Sequence, residues 1–243
     1  MKSFARVVGI YIAIIATTTA GCTPSIYADT RITCPLGEKL AVDTCQNYTS
    51  VSDMQNFSSE IYESLGEFAE VHHTAMPPKN DVYFITPDNA QISPCAMSPN
   101  EPYVACYTEG KLYIGSMMLY TNYTDTGALA PVTIIAHEYG HYLQNAGQSN
   151  GSRPNNGSSA VEIENQADCV SGAYVAWLGT KQHIKLSALV SLLAMIWDHG
   201  SNPYLELYKI HGTPQERTGA FTTGYDGGLN ACNAIGNLAV APS

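Results

Sequence analysis

The string His137-Glu138-Tyr139-Gly140-His141 constrains this chain more than any other five residues in it. Residues four apart on an α-helix project from one face, so on a helix the two imidazoles can converge on a single cation. Glu138, one step round, can reach a water held by that cation without itself occupying a ligand position. Five residues of this kind also occur in unrelated chains, so the context has to decide.

Three features of the context favour a metal. The preceding run Val132-Thr133-Ile134-Ile135-Ala136 is apolar, which turns the histidines toward the interior rather than toward solvent. Gly140 costs about 1 kcal/mol relative to Ala inside a helix, and close approach of another element would compensate. The third feature is Glu164-Asn165-Gln166-Ala167-Asp168 on the next expected helix. A catalytic zinc takes three protein ligands and keeps a fourth position open, and His137, His141 and Glu164 supply three. Asp168, one turn beyond Glu164 on the same face, is placed to hydrogen-bond the far nitrogen of a ligand imidazole, His137 for preference, and so fix its tautomer. Ala167, Ser171, Gly172 and Ala173 are small enough to let the two helices share one ion.

HExxH followed by ExxxD is the gluzincin pattern, and the strings Ile135 to His141 and Glu164 to Cys169 resemble those of the bacterial neutral zinc metallopeptidases. That family also has a Cys-rich hairpin before the metal helix, similar to Cys95 through Cys106 followed by Lys111-Leu112-Tyr113-Ile114. Near its end it has an HGS-x-x-x-R string, similar to His211 through Arg217, then a Gly-rich stretch and a last Cys, similar to Gly224 through Cys232. The resemblance spans residues 90–232. It implies a zincin-like fold, one Zn(2+) per chain and hydrolysis of peptide bonds in a peptide or protein substrate. Asn165 stands where the family usually has Leu.

On this reading Glu138 takes the proton of the attacking water and returns it to the leaving amine. The developing oxyanion needs a donor besides the metal. His211, Arg217 and Tyr139 have the chemistry, and the terminal motif favours His211. The competing reading has His211 and Arg217 capping a helix and pairing with nearby carboxylates. Two other functions use the same ligands: a non-catalytic zinc-stabilised envelope lipoprotein, which would have no use for Glu138, and a metal-dependent amidase acting on cell-wall peptides.

The rest of the chain reads as an α+β fold, mainly helical with a small sheet, with the HExxH helix packed on the ExxxD helix. Met54, Phe57, Ile61, Leu65, Phe68 and Val71 recur at helical steps across 52–72 and predict one buried stripe. Strands are expected at 81–86, 103–107 and 111–114. Helices are expected at 128–145, 159–178, 184–197 and 214–225. The second of these has a Ser159-to-Glu162 capping spacing and Gly179 as its stop. A Gly, Asn and Ser loop at 148–158 joins the two central helices.

The N-terminus is basic and then apolar to about Ala20, the order of a secretory signal. Residues 1–21 are therefore expected to be a signal peptide, 22–50 a linker and disulfide-pinned loop, and 51–243 the metallopeptidase domain. Thr19-Ala20-Gly21-Cys22 resembles a bacterial lipobox, so Cys22 is either a lipid anchor or adjacent to an ordinary cleavage site. Seven Cys become six once Cys22 is set aside, and six can pair completely in an oxidising compartment. Six allow about 15 connectivities; the preferred one is Cys34–Cys45, Cys95–Cys106 and Cys169–Cys232. The expected location is the cell envelope or the exterior, with any membrane contact made through the anchor. Eleven Lys and Arg against 21 Asp and Glu exclude the basic surface that nucleic acid requires.

Overall fold

The computed structural model describes residues 50–86, 89, 94–95, 105–146, 158–181, 184, 186–201, 211–236 and 239–241. The expected signal, the linker with its Cys34–Cys45 pairing, Cys22, and loop 148–157 lie outside the described residues.

Helix α1, Val51–His72, is started by Ser50, whose hydroxyl takes the Asp53 N–H while the Asp53 carboxylate takes the Ser50 N–H. Met54, Phe57, Ile61, Leu65 and Phe68 are each at most 1% exposed, as the stripe requires. Val71 is not part of it and is 56% exposed. At 3.6 residues per turn Val71 points about 80° away from the mean of the other five, whereas His72 falls in line with them, and the His72 ring packs 4.3 Å from Phe68.

A 3-10 turn, Lys79–Asp81, leads into β1, Val82–Ile85, followed by β2, Cys106–Thr108, and β3, Lys111–Gly115. The order is β1-β3-β2. Strand β3 pairs in parallel with β1, from Val82 opposite Leu112 to Ile85 opposite Gly115, and antiparallel with β2. Glu109 and Gly110 both have positive φ, 53° and 80°, the two-residue turn that matches the twist of a hairpin. A disulfide joins Cys95 to Cys106, tying the crossover from β1 to the start of β2.

Helix α2, Ser116–Thr126, is not predicted by the sequence reading; its Tyr, Thr and Asn content gives weak helical preference. The four expected helices follow as α3, Leu129–Ala146, α4, Ala160–Lys181, α5, Leu186–Ser201, and α6, Pro214–Gly227, then a 3-10 helix, Leu229–Ala234. Ser159 and Glu162 exchange the expected capping hydrogen bonds. Gly179 does not end α4, which runs on to Lys181. Thr213 and Glu216 form a second capping box at α6, with Pro214 in its first turn.

Three helices meet at glycines. A methyl group on Gly140 of α3 would lie 2.8 Å from the Ala167 Cα of α4, the close approach that the sequence implies there. Gly172 and its small neighbours serve a different contact from the expected one. A Cβ on Gly172 would stand 2.0 Å from the Phe221 carbonyl oxygen, and one on Gly224 would stand 1.8 Å from that of Cys169. Helices α4 and α6 thus touch backbone to backbone, and the Cys169–Cys232 disulfide fastens the terminal 3-10 helix beside them. Gly224→Ala is therefore expected to destabilise the protein by about 1–3 kcal/mol, because neither backbone can yield locally. Gly219→Ala, in the same helix with open space around it, should stabilise by about 0.5–1 kcal/mol. Thermal unfolding of the pair checks this; equal midpoints would remove the close contact.

Candidate metal centre

Helix α3 presents His137 and His141, and α4 presents Glu164 and Asp168, across the Gly140–Ala167 contact. The His137 and His141 Nε2 atoms lie 3.1 Å apart. Glu164 Oε2 is 3.2 Å from His137 Nε2, and Oε1 is 3.5 Å from His141 Nε2. Donors held at about 2.0–2.2 Å from a tetrahedral cation are about 3.3–3.6 Å from one another, close to these three separations. The sequence-predicted ligands are therefore brought together into a group that could hold a metal ion.

The surroundings fit a cation. His137 Nδ1 donates to Asp168 Oδ1 at 2.8 Å, so Nε2 is the nitrogen that would turn a lone pair to a cation once its own proton is displaced. Arg217, in the first turn of α6, binds Asp168 with two N–H groups at 2.8 and 2.9 Å. His211 Nδ1 lies 2.7 Å from Glu164 Oε2; Gly212, at φ +88°, turns the chain between this residue and the Thr213 cap. Glu138 is 8% exposed and makes no hydrogen bond among the described residues.

Three carboxyl groups, Glu138, Glu164 and Asp168, thus face one guanidinium. A buried excess of negative charge is costly unless protons or a cation compensate. Burial and neighbouring charge pull these groups in different directions. Burial works against a charge on His137, yet Asp168 and Glu164 outweigh it and hold its pKa up at about 10. Burial alone would raise Glu164, but hydrogen bonds from His137, His141 and His211 hold it far below the carboxylate range. Burial would also raise Asp168, but Arg217 and His137 bring it down. Glu138 alone among the three is pushed up by burial, against the pull of His137 and His141. A divalent ion would do for the cluster what the proton on His137 does without it.

The candidate oxyanion donors separate. Tyr139 is excluded: it is fully buried, with its hydroxyl donating to the Ala75 carbonyl at 2.9 Å and lying 2.9 Å from the Thr74 hydroxyl. With Tyr142 on Met76, it holds the segment after α1 against α3, while Tyr62 ties Pro77 back to α1 itself. Arg217 is engaged by Asp168, as the competing reading had it. His211 likewise pairs with a carboxylate, that of Glu164, and keeps its side chain 36% exposed.

Two residues escaped the sequence reading. Gln144 accepts the His141 Nδ1–H at 2.9 Å, and Gln166 is bonded to Gln144. The signal for Gln144 was its place seven residues after His137 and three after His141, on the ligand face.

No family model, no curated protein and no solved structure matches the chain. The fold and the site define a mainly helical α+β protein with a His-His-Glu group able to hold a metal ion. Its two described disulfides are compatible with an oxidising compartment. Among the described residues no helix is long and apolar enough to cross a membrane.

Proposed function

We propose that this chain is a zincin-like, zinc-dependent peptidase acting outside the cytoplasm, exported through residues 1–21 and either released or anchored at Cys22. The observation that carries the reading is the pairing of a three-donor group with a buried carboxyl, without a hydrogen bond among the described residues, one residue from the first ligand. A site that only holds a fold together gains nothing from Glu138, whose burial is costly.

His137, His141 and Glu164 would hold the ion, with Asp168 fixing His137. When bound, zinc supplies Lewis acidity toward a carbonyl and lowers the pKa of water to about 7. Glu138, whose carboxyl is raised by burial, accepts the proton of the attacking water and delivers it to the leaving nitrogen. His211 can donate a hydrogen bond to the developing oxyanion if both its nitrogens carry protons, since Nδ1 is committed to Glu164.

Metal analysis of the purified protein should give one zinc per chain. A quenched-peptide library should be cleaved, cleavage should stop with a chelator, and zinc should restore it. Cleavage confined to cell-wall peptides would make the chain an amidase. A tightly held ion with no turnover of either substrate class would leave it a zinc-stabilised envelope protein.

A further inference from the structure

Gln144 and Gln166 are 2% and 1% exposed, and a polar side chain buried this deeply has its hydrogen bonds dictated by its neighbours. The sequence of those bonds can be followed from groups whose roles admit no choice. The backbone carbonyls of Cys232 and Ile235 only accept. Gln166 Nε2 lies 2.9 and 2.8 Å from them, so its amide hydrogens point into the terminal 3-10 turn. Gln166 Oε1 must then face Gln144 and accept from its Nε2 at 3.1 Å. The other Gln144 hydrogen goes to the Ile163 carbonyl at 2.7 Å. Both Gln144 donors are thereby used, and its Oε1 is left 2.9 Å from His141 Nδ1. An amide oxygen cannot donate, so Nδ1 bears the hydrogen and Nε2 turns its lone pair toward His137 and Glu164. Reversing either amide would set oxygen against carbonyl oxygen.

We infer that Gln144 and Gln166 are positioning residues that place the His141 proton on Nδ1 and so fix this imidazole as a metal ligand, with the 3-10 turn as the fixed end of the chain. The Cys169–Cys232 disulfide holds that turn against α4, three residues from Gln166. The two ligand imidazoles are thus supported differently: His137 by a carboxylate, His141 by a neutral amide. The inference rests on the metal reading of the site and assigns residues which that reading leaves out.

Zinc affinity of the full chain, measured by competition with a chromophoric chelator, tests it. Gln144→Met keeps the length and removes the acceptor, and should weaken zinc binding by about 10–100-fold. Gln166→Met should weaken it less, and the double variant no more than Gln144→Met alone, because Gln166 acts through Gln144. Long-range proton–nitrogen spectra of the zinc-free wild type, at a pH where His141 is neutral, should already place its hydrogen on Nδ1, a readout that neither packing nor an ion on Nε2 would produce. A folded Gln144→Met protein with undiminished affinity, or a hydrogen on Nε2, would overturn the relay while leaving the metal site standing. A wild-type protein that takes no divalent ion would overturn both. Should Gln144→Met fail to fold, the wild-type spectrum decides.

Discussion

Glu138→Gln is expected to leave zinc bound and to cut peptide hydrolysis by about 10²–10⁴-fold, the range for loss of a positioned general base. The substitution keeps the volume of the side chain and replaces a buried carboxyl, which makes no hydrogen bond among the described residues, with a neutral amide. It touches no metal donor. It also removes a group that burial already disfavours as an anion and that stands close enough to Glu164 to feel its charge. Stability should therefore hold or rise slightly, as is common where a functional site carries uncompensated charge. Metal content, unfolding midpoint and initial rate, read on the same preparation, separate the outcomes. Loss of zinc together with activity would make Glu138 part of the metal's support, and an unchanged rate would remove it from the chemistry.

The His-His-Glu group is legible in the sequence because helical periodicity fixes it. His137 and His141 share a face by their spacing, as do Glu164 and Asp168, and Gly140 marks the surface where the two helices meet. None of that needs knowledge of the rest of the chain. The role of Arg217 does need it. Arg217 reaches Asp168 only because α6 lies against α4 at Gly172 and Gly224, and glycine in a sequence reads equally as a helix stop, a turn or a packing surface. The candidacy of Tyr139 fails for a related reason. Its chemistry suits an oxyanion donor, but its place between His137 and His141 turns it to the opposite side of the helix, against Thr74 and Ala75. The two glutamines look like ordinary solvated helix residues until the terminal turn is folded over them, which takes contacts 66 and 69 residues apart in the chain.

Asp168→Asn separates the two roles that this carboxylate combines. With 2% exposure it accepts from the His137 Nδ1 and from two Arg217 nitrogens. Asparagine retains one oxygen and no charge, so Arg217, whose side chain is 15% exposed, is left largely buried without its ion-pair partner, facing only the charges of Glu164 and Glu138. Breaking a buried pair in this way costs about 3–5 kcal/mol, which denaturant unfolding would read directly. The same variant weakens the support of His137, for which a loss of about 10–100-fold in zinc affinity is expected. Adding Arg217→Met to Asp168→Asn removes the stranded charge without restoring the acceptor. The double variant should recover much of the stability and none of the zinc affinity. Recovery of both together would mean that Asp168 acts on the metal only by keeping α4 and α6 in place, and recovery of neither would mean that the pair is not what holds these helices.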